Sequence, residues 1–265
     1  MQRRGGDLRK RAASQLDNPW ARSWLASTGR EAFLRLVLEP LLDFYTRRRA
    51  TGREQLSSVK GSAILVANHR SHIDTPVILA ALPRRLRRRT VVAAAADYFY
   101  RNRLIAWLVS FVFNTIPLDR RGGGLDQRAA GHVDRLLDEG WNLLLYPEGT
   151  RSRNGGQGRV RRGAAVLAER HNLPIVPIRV SGTHNAMPPG RFWPKRRVHR
   201  LLLSRRHNVE ISFGEPIPPG ADATRVSETL QRFFVTDGAA ATNGRNGHRR
   251  FLPRRARVGA GERQR

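Results

Sequence analysis

The chain has 265 residues, and 40% of them are hydrophobic, so one or two globular domains are expected and a wholly disordered or collagen-like chain is excluded. It contains no cysteine, which excludes a disulfide framework, a cysteine nucleophile and a thiolate metal site. Its formal net charge of +28 indicates a polyanionic partner: nucleic acid, an anionic membrane surface or a phosphorylated substrate.

The apolar segments of the sequence are too short to span a membrane. The longest stretch without a charged side chain covers residues 104–118, whereas a spanning helix needs about 20 mostly apolar residues. The first residues are basic, but they are not followed by the apolar run of a secretory signal. These features predict a cytoplasmic location.

Residues 1–50 are predicted to form a basic arm followed by amphipathic helices. The helical pattern extends from Trp20 to Tyr45, and Pro40 is expected to kink or divide it. Three arginines, Arg47–Arg49, close the segment. An apolar face flanked by arginines is typical of a segment that lies in the membrane interface, and an ordinary helix packed on the body of the protein explains the pattern equally well.

The middle of the chain alternates between short apolar runs and segments of helical periodicity. Strands are predicted at residues 63–67, 90–96, 115–118, 141–146 and 175–180. Helices are predicted at residues 75–82, 103–113, 125–139, 161–170 and 224–234. Strands that alternate with helices indicate an α/β fold, in which a mostly parallel sheet is flanked by helices and preceded by the N-terminal amphipathic segment.

Two further segments complete the expected organisation. Val209–Phe213 alternates between apolar and polar side chains, as an edge strand does. Residues 237–265 are rich in Ala, Gly, Asn and Arg, a composition that predicts a disordered basic tail. The site is therefore expected in a single domain of residues 51–236.

A dense cluster of polar residues follows the strand predicted at 63–67. Residues 68–74 read Asn-His-Arg-Ser-His-Ile-Asp and precede an apolar helix, so they lie beyond the carboxyl end of a strand, where α/β folds place their sites. Pro76 favours a turn that leads into a helix start. In such a turn Asp74 can accept a hydrogen bond from one ring nitrogen of His69, and the other nitrogen can act as a base.

Two other interpretations of this cluster stay open on the residues alone. His69, His72 and Asp74 can ligate a metal, although their spacing matches no familiar zinc pattern. Ser71 can act as a nucleophile, although it lies outside any strand-to-helix elbow. We expect neither, and no metal site is predicted.

A second polar cluster follows the strand predicted at 141–146. Residues 146–152 read Tyr-Pro-Glu-Gly-Thr-Arg-Ser. Gly149 allows a tight turn, while Thr150 and Arg151 supply donors for an anionic oxygen, which Arg151 can bind through two nitrogens. A plain turn capped by Glu148 explains this motif when it is considered by itself.

Taken together, the two clusters resemble the glycerolipid acyltransferase family of the lysophosphatidate acyltransferase type. The resemblance covers about residues 55–220, and the family's first and third blocks match in full. In the second block, residues 114–120, Asn114 replaces the usual glycine and Pro117 the usual aromatic residue, so only Arg120 carries over. The fourth block corresponds to the apolar, proline-containing residues 173–178.

The resemblance implies an O-acyltransferase that moves a fatty acyl group from a thioester to the free hydroxyl of a lysophosphatidate, giving phosphatidate for phospholipid synthesis. It implies that His69 is the general base and that Asp74 orients it. Backbone N–H groups near the first cluster are candidates for binding the oxyanion. The implied acceptor-binding residues are Arg120, Glu148, Gly149, Thr150 and Arg151. No cofactor is implied, because acyl-CoA or acyl carrier protein is the acyl donor and hence a substrate.

The resemblance also implies the partners and the location. Both substrates partition into membranes, so a peripheral, monotopic enzyme on the cytoplasmic face of the cell membrane is expected, with the basic runs 84–89 and 191–206 towards anionic headgroups. No nucleic acid partner is expected, since no nucleic-acid-binding motif is recognisable. The alternatives are the same chemistry on glycerol 3-phosphate, another lysophospholipid or a lyso-aminolipid, and a non-catalytic basic protein that binds membrane or nucleic acid.

Overall fold

The computed structural model of the chain describes residues 19–95, 103–118, 127–148, 158–188, 194 and 206–243. Four of the expected site residues lie outside these ranges: Arg120, Gly149, Thr150 and Arg151. The N-terminal arm before Pro19, the end of the expected tail after Asn243 and most of the basic run 191–206 also lie outside them.

The described ranges contain alternating strands and helices in the order that the sequence predicts, with several short additions. The strands are β1 Thr46–Thr51, β2 Ile64–Ala67, β3 Thr90–Ala95, β4 Thr115–Leu118, β5 Asn142–Leu145, β6 Ile175–Ser181 and β7 His207–Phe213. The helices are α1 Trp24–Phe33, α2 Glu39–Tyr45, α3 Asp74–Ala81, α4 Arg84–Arg88, α5 Arg103–Phe113, α6 Gln127–Asp138, α7 Gly163–Arg170, α8 Thr183–Ala186 and α9 Ala223–Asn243. Two 3₁₀ helices, Pro19–Arg22 and Arg53–Ser58, complete the set.

The described strands form one sheet in the order β1-β7-β6-β2-β5-β3-β4. Every neighbouring pair is parallel except β6 and β7, which run antiparallel. Helices cover both faces, which is why the central strand β2 consists only of buried apolar residues instead of alternating with polar ones. The predicted class, a mostly parallel sheet flanked by helices and preceded by an N-terminal helical segment, is confirmed.

The two faces of the sheet carry separate hydrophobic cores. On one face, α3 and the start of α4 pack against alternate residues of the strands, among them Leu65, Leu144 and Val176. On the other face, α6, α7 and α9 pack against the intervening residues, among them Ile64 and Leu143. We call these the α3 face and the α7 face.

One edge of the sheet differs from the prediction. Val209–Phe213 was expected to be an edge strand, and this is wrong, because β7 lies between β1 and β6. The edge is β1, whose arginines were expected only to close the N-terminal helices. The sequence TRRRAT has no apolar run, so nothing local predicts a strand; its parallel hydrogen bonds to β7 make it one, with Arg47 and Arg49 exposed to solvent.

The N-terminal segment is helical from residue 24 to residue 45 and is divided by a π-helical turn at Leu34–Leu38. That turn precedes Pro40, whose ring and missing N–H disturb the regular helical ladder, so the predicted division is present. The buried Glu31 of α1 forms an ion pair with the buried Arg87 of α4. One side of the segment is therefore packed on the body of the protein.

The last described helix is longer than predicted. α9 ends at Asn243 instead of near Phe234, so the helix extends into the first residues of the segment that is expected to be a disordered tail. This part of the chain contains Ala239–Ala241, and alanine has the highest helix propensity of all residues.

Candidate active site

The two polar clusters come together at one edge of the sheet. β2 and β5 are parallel neighbours, so the residues that follow Ala67 and Leu145 emerge side by side. The helix after β2 packs on the α3 face, whereas the next described helix after β5 packs on the α7 face. Chain segments that leave neighbouring strands towards opposite faces open a crevice at the carboxyl edge, where α/β folds bind their ligands.

Asn68 fixes the start of the first cluster. Its side-chain amide donates to the carbonyl oxygen of Val180 at 2.9 Å, and its Oδ1 accepts the Val180 N–H at 2.7 Å. The amide thus replaces a backbone peptide and continues the pairing of β2 with β6 after the strand itself has ended. The side chain is fully buried, and the following residue, His69, therefore starts from a fixed point.

The hydrogen bond expected between His69 and Asp74 is present. Nδ1 of His69 lies 3.0 Å from Oδ2 of Asp74, and the intervening residues form a turn in which Asp74 N–H donates to the carbonyl of Ser71. Asp74 begins α3 and has no exposed surface, whereas the His69 side chain keeps 15% of its surface accessible. With Nδ1 held by the carboxylate, Nε2 is the ring nitrogen that can accept a proton from a substrate.

The backbone of the turn stabilises the buried carboxylate. Oδ2 of Asp74 also accepts the N–H groups of Arg70 at 2.6 Å and Ser71 at 2.7 Å. These donors supply hydrogen bonds that a buried charge requires, and the amino terminus of α3 adds a favourable dipole. Asp74 is therefore held in place by its own loop as well as by the imidazole.

The N–H groups of this loop already have acceptors. Those of Arg70 and Ser71 donate to Asp74, and that of His69 donates to Oε1 of Glu148 at 3.3 Å. The N–H of Ile73 donates to Oγ of Ser71 at 3.3 Å. The expectation that N–H groups near the first cluster bind an oxyanion is therefore not supported for these four.

Ser71 has a structural position. Its hydroxyl is fully buried and donates to the carbonyl oxygen of Met187 at 2.7 Å, which ties the turn to the residue after α8. A hydroxyl whose proton is held by a carbonyl is not presented to a substrate, so the nucleophile interpretation finds no support.

Among the residues that the structure describes, no group of three or more His, Cys, Asp or Glu side chains is placed to hold a metal ion.

Tyr146 links the second cluster to the first. Its ring stacks on the His69 imidazole, with centroids 4.1 Å apart and planes inclined by 21°. Its hydroxyl lies 2.7 Å from Oγ1 of Thr75. Burial, and secondly the negative charge of Asp74, raise the pKa of the Tyr146 hydroxyl. The sequence placed Tyr146 in a motif but indicated no role for it.

Glu148 joins two loops through its carboxylate. Oε1 accepts the N–H of His69, and Oε2 accepts the N–H of Gly158 at 3.0 Å. A Cβ atom on residue 158 would lie 2.7 Å from Oε2, so a side chain there conflicts with this contact. Gly158 lies outside the motifs, and no sequence signal marked it.

The structure thus brings together three of the predicted site residues, His69, Asp74 and Glu148.

The second block begins at Asn114, which has φ +52°. The left-handed conformation favours glycine and tolerates asparagine, which accounts for the replacement of the family's usual glycine at this position.

Comparisons with known proteins agree with this geometry. A protein-family model described as Acyltransferase matches residues 47–181, which include both clusters. The 1-acyl-sn-glycerol-3-phosphate acyltransferase alpha of Bos taurus is 32% identical over 189 residues, covering 66% of this chain and 60% of that protein. The chloroplastic 1-acyl-sn-glycerol-3-phosphate acyltransferase LPAT1 of Arabidopsis thaliana is 28% identical over 139 residues, 52% of this chain and 37% of that protein.

These curated relatives are matched over only 37% to 60% of their own length. Among solved structures, the crystal structure of the 1-acyl-sn-glycerophosphate (LPA) acyltransferase PlsC from Thermotoga maritima is similar, with a TM-score of 0.61 and 22% sequence identity. The similarity covers 90% of this chain and 88% of that chain, and it shows that the two share a fold.

Proposed function

The chain belongs to the Acyltransferase family, and from that membership and its site geometry we propose that it transfers a fatty acyl group from a thioester to the free hydroxyl of a lysophosphatidate. The product would be phosphatidate for phospholipid synthesis. The observation that carries this proposal is the hydrogen bond of 3.0 Å between His69 and Asp74 at the carboxyl edge of the sheet. The printed names of the curated relatives support the choice of acceptor.

The His69–Asp74 pair supplies the base that this reaction needs. A hydroxyl is a weak nucleophile at neutral pH, so Nε2 of His69 takes its proton while the oxygen bonds to the thioester carbonyl carbon. The tetrahedral intermediate then collapses, the C–S bond breaks, and the departing thiolate takes the proton back from the imidazolium. Asp74 stabilises the imidazolium throughout. The step needs no cofactor and no acyl-enzyme, and the donor is acyl-CoA or acyl carrier protein.

We infer that the second cluster holds the anionic end of the acceptor. The resemblance assigns Arg120, Glu148, Gly149, Thr150 and Arg151 to the acceptor, with the two arginines on its phosphate, which arginine suits because it donates through two nitrogens. Glu148 supports this arrangement by connecting the second cluster to His69. Its oxygens accept backbone N–H groups, so its part is to position the loops.

We also propose that the protein docks peripherally on the anionic cytoplasmic face of the membrane. The structure leaves a group of large apolar side chains exposed near the N-terminal helices, which we call the apolar patch: Trp20, Trp24, Leu25, Leu104, Trp107 and Leu108. Trp20 stacks on Trp107, so the patch residues near the start of α1 are in contact with those of α5. The basic helix α4 lies beside α1 through contacts such as Arg88 with Thr28.

Such a patch suits the membrane interface. A group of large apolar side chains exposed side by side marks an interaction site, and neighbouring arginines attract anionic lipids. In the part of the chain that the structure describes, no helix combines the length and the apolar character needed to cross a bilayer.

Replacing Trp24 and Leu25 together by serine is expected to weaken binding to anionic vesicles about tenfold or more, since each buried side chain contributes about 1.5–3 kcal/mol. Co-sedimentation with phosphatidylglycerol-containing vesicles measures the effect. Val166→Ser is the matched control, because Val166 is also exposed but lies on α7, on the other face of the sheet. Equal binding by the two variants would refute the membrane assignment of the patch.

The function is tested by incubating the purified protein with a long-chain acyl-CoA and lysophosphatidic acid and detecting phosphatidic acid by mass spectrometry. Parallel reactions contain an acyl-loaded acyl carrier protein as donor, or glycerol 3-phosphate, other lysophospholipids and a lyso-aminolipid as acceptors. We expect lysophosphatidic acid to be the best acceptor. If only another acceptor is acylated, that acceptor is the substrate and lysophosphatidate is not. If no acceptor is acylated and the protein gives a salt-dependent gel shift with nucleic acid, the protein is a nucleic-acid-binding protein and the proposed function is wrong.

A further inference from the structure

One side chain contacts both His69 and the residue that follows Asp74 in α3. The Tyr146 ring covers one face of the imidazole, and its hydroxyl bonds to Thr75, which follows Asp74 in α3. Tyr146 comes directly after β5, whereas His69 and Asp74 come after β2, so this contact bridges two strands. The same residue therefore touches the base and the helix that carries its carboxylate.

We propose that Tyr146 is a positioning residue, which holds the His69 imidazole in the orientation that keeps Nδ1 on Asp74 and presents Nε2 to the substrate hydroxyl. A single hydrogen bond fixes one atom of a ring but leaves the ring free to swing about that contact. A second ring stacked on its face removes this freedom from one side. The proposal rests on the acyl-transfer function above, because it assigns Tyr146 to the base of that reaction.

The stacked ring also affects the charged form of the base. The face of an aromatic ring is electrostatically negative and attracts a cation placed over it. Among the contacts described here, His69 meets the carboxylate of Asp74 from α3 and the carboxylate of Glu148 through its N–H. Because burial and Asp74 raise the pKa of Tyr146, its hydroxyl stays neutral where an imidazole changes charge. Tyr146 therefore contacts His69 as a neutral ring, whose face suits the cation that forms during proton transfer.

Core packing alone explains only part of this arrangement. Tyr146 packs against the hydrophobic core of the α3 face, and a phenylalanine ring would fill the same space. The hydroxyl bond to Thr75 adds a connection that packing does not require. Tyr146→Phe and Thr75→Val each remove this bond and keep the ring, whereas Tyr146→Leu removes the ring itself.

The kinetic test compares these variants with Phe213→Leu, which also removes an aromatic ring from this hydrophobic core. Phe213 ends β7, a different strand from β2 and β5, which precede His69 and Tyr146. Tyr146→Leu is expected to lower kcat about tenfold or more, as misplacement of a catalytic group does. Its acceptor KM should change less than about threefold, since substrate binding is not altered.

The hydrogen-bond variants isolate the contribution of the hydroxyl. Tyr146→Phe should restore most of the activity that Tyr146→Leu loses. Thr75→Val should match Tyr146→Phe, and the double variant should be no worse than either, because both changes remove the same bond. An additive loss in the double variant would show that the two residues act separately and would overturn the link to α3.

A second readout does not depend on activity. Diethyl pyrocarbonate modifies accessible imidazoles, and peptide mass spectrometry gives the rate of modification at His69. We expect a several-fold faster rate in Tyr146→Leu than in Phe213→Leu or the unaltered protein. Unchanged reactivity at His69 together with an unchanged kcat would overturn the positioning role. If the unaltered protein transfers no acyl group, the proposed function fails, while the reactivity measurement still decides whether Tyr146 holds His69.

Discussion

His69→Ala is expected to lower kcat for acyl transfer about 10²-fold or more, because it removes the group that takes the proton from the attacking hydroxyl. The acceptor KM should change little, since the imidazole acts on the reacting oxygen and not on the anionic end of the acceptor. Steady-state kinetics with lysophosphatidic acid and an acyl-CoA measure both values. Turnover near that of the unaltered protein would exclude His69 as the base.

The chain offers a matched control for this substitution. Outside the site, His171 makes the same kind of contact through Nδ1, which lies 3.0 Å from Oδ1 of Asp138, and its Nε2 is also held, 2.8 Å from Oδ1 of Asp134. These contacts join the end of α7 to α6. His171→Ala therefore removes an imidazole and its carboxylate contacts but should retain the activity of the folded fraction, which thermal unfolding quantifies.

Asp74→Asn is expected to lower kcat about 10²-fold or more while leaving the side-chain volume unchanged. The amide oxygen can still accept the N–H groups of Arg70 and Ser71, but the negative charge that stabilises the His69 imidazolium is lost. Kinetics combined with circular dichroism separate this loss from a loss of folded protein. Asp138→Asn is the control, because that carboxylate makes an equivalent contact to His171 on the surface.

The double variant decides whether the two residues act as a unit. His69→Ala with Asp74→Asn should be no slower than His69→Ala alone, since Asp74 acts only through the imidazole. A further large loss in the double variant would show that Asp74 has a separate part in the reaction. If Asp74→Asn loses no more activity than Asp138→Asn, the carboxylate does not support the base.

Much of the fold was predictable because its signals are local. The buried strand at 64–67 and the helices after it follow from runs of apolar residues and from helical periodicity among residues a few positions apart. The contact between His69 and Asp74 belongs to the same class, since the two residues lie five positions apart within one turn. The resemblance of the two motifs to one family then predicted that the second cluster belongs to the same site.

The remaining features depend on contacts between distant parts of the chain. β1 is a strand because β7, some 160 residues later, pairs with it, and no property of its arginine-rich sequence predicts that partner. The contact of Tyr146 with Thr75 spans 71 positions, and that of Glu148 with His69 spans 79. Gly158 matters only because the Glu148 carboxylate lies against it.

The sequence by itself therefore determined most of the elements, β1 excepted, and the residues that are proposed to carry the chemistry, because apolar periodicity, turn formation and side-chain type are properties of neighbouring residues. The tertiary structure decided how the base is held: which ring covers His69, which carboxylate anchors its loop, and which strands bring the two clusters together. Those outcomes follow from the order of strands in the sheet, which is set by packing across the whole chain and by no single segment of it.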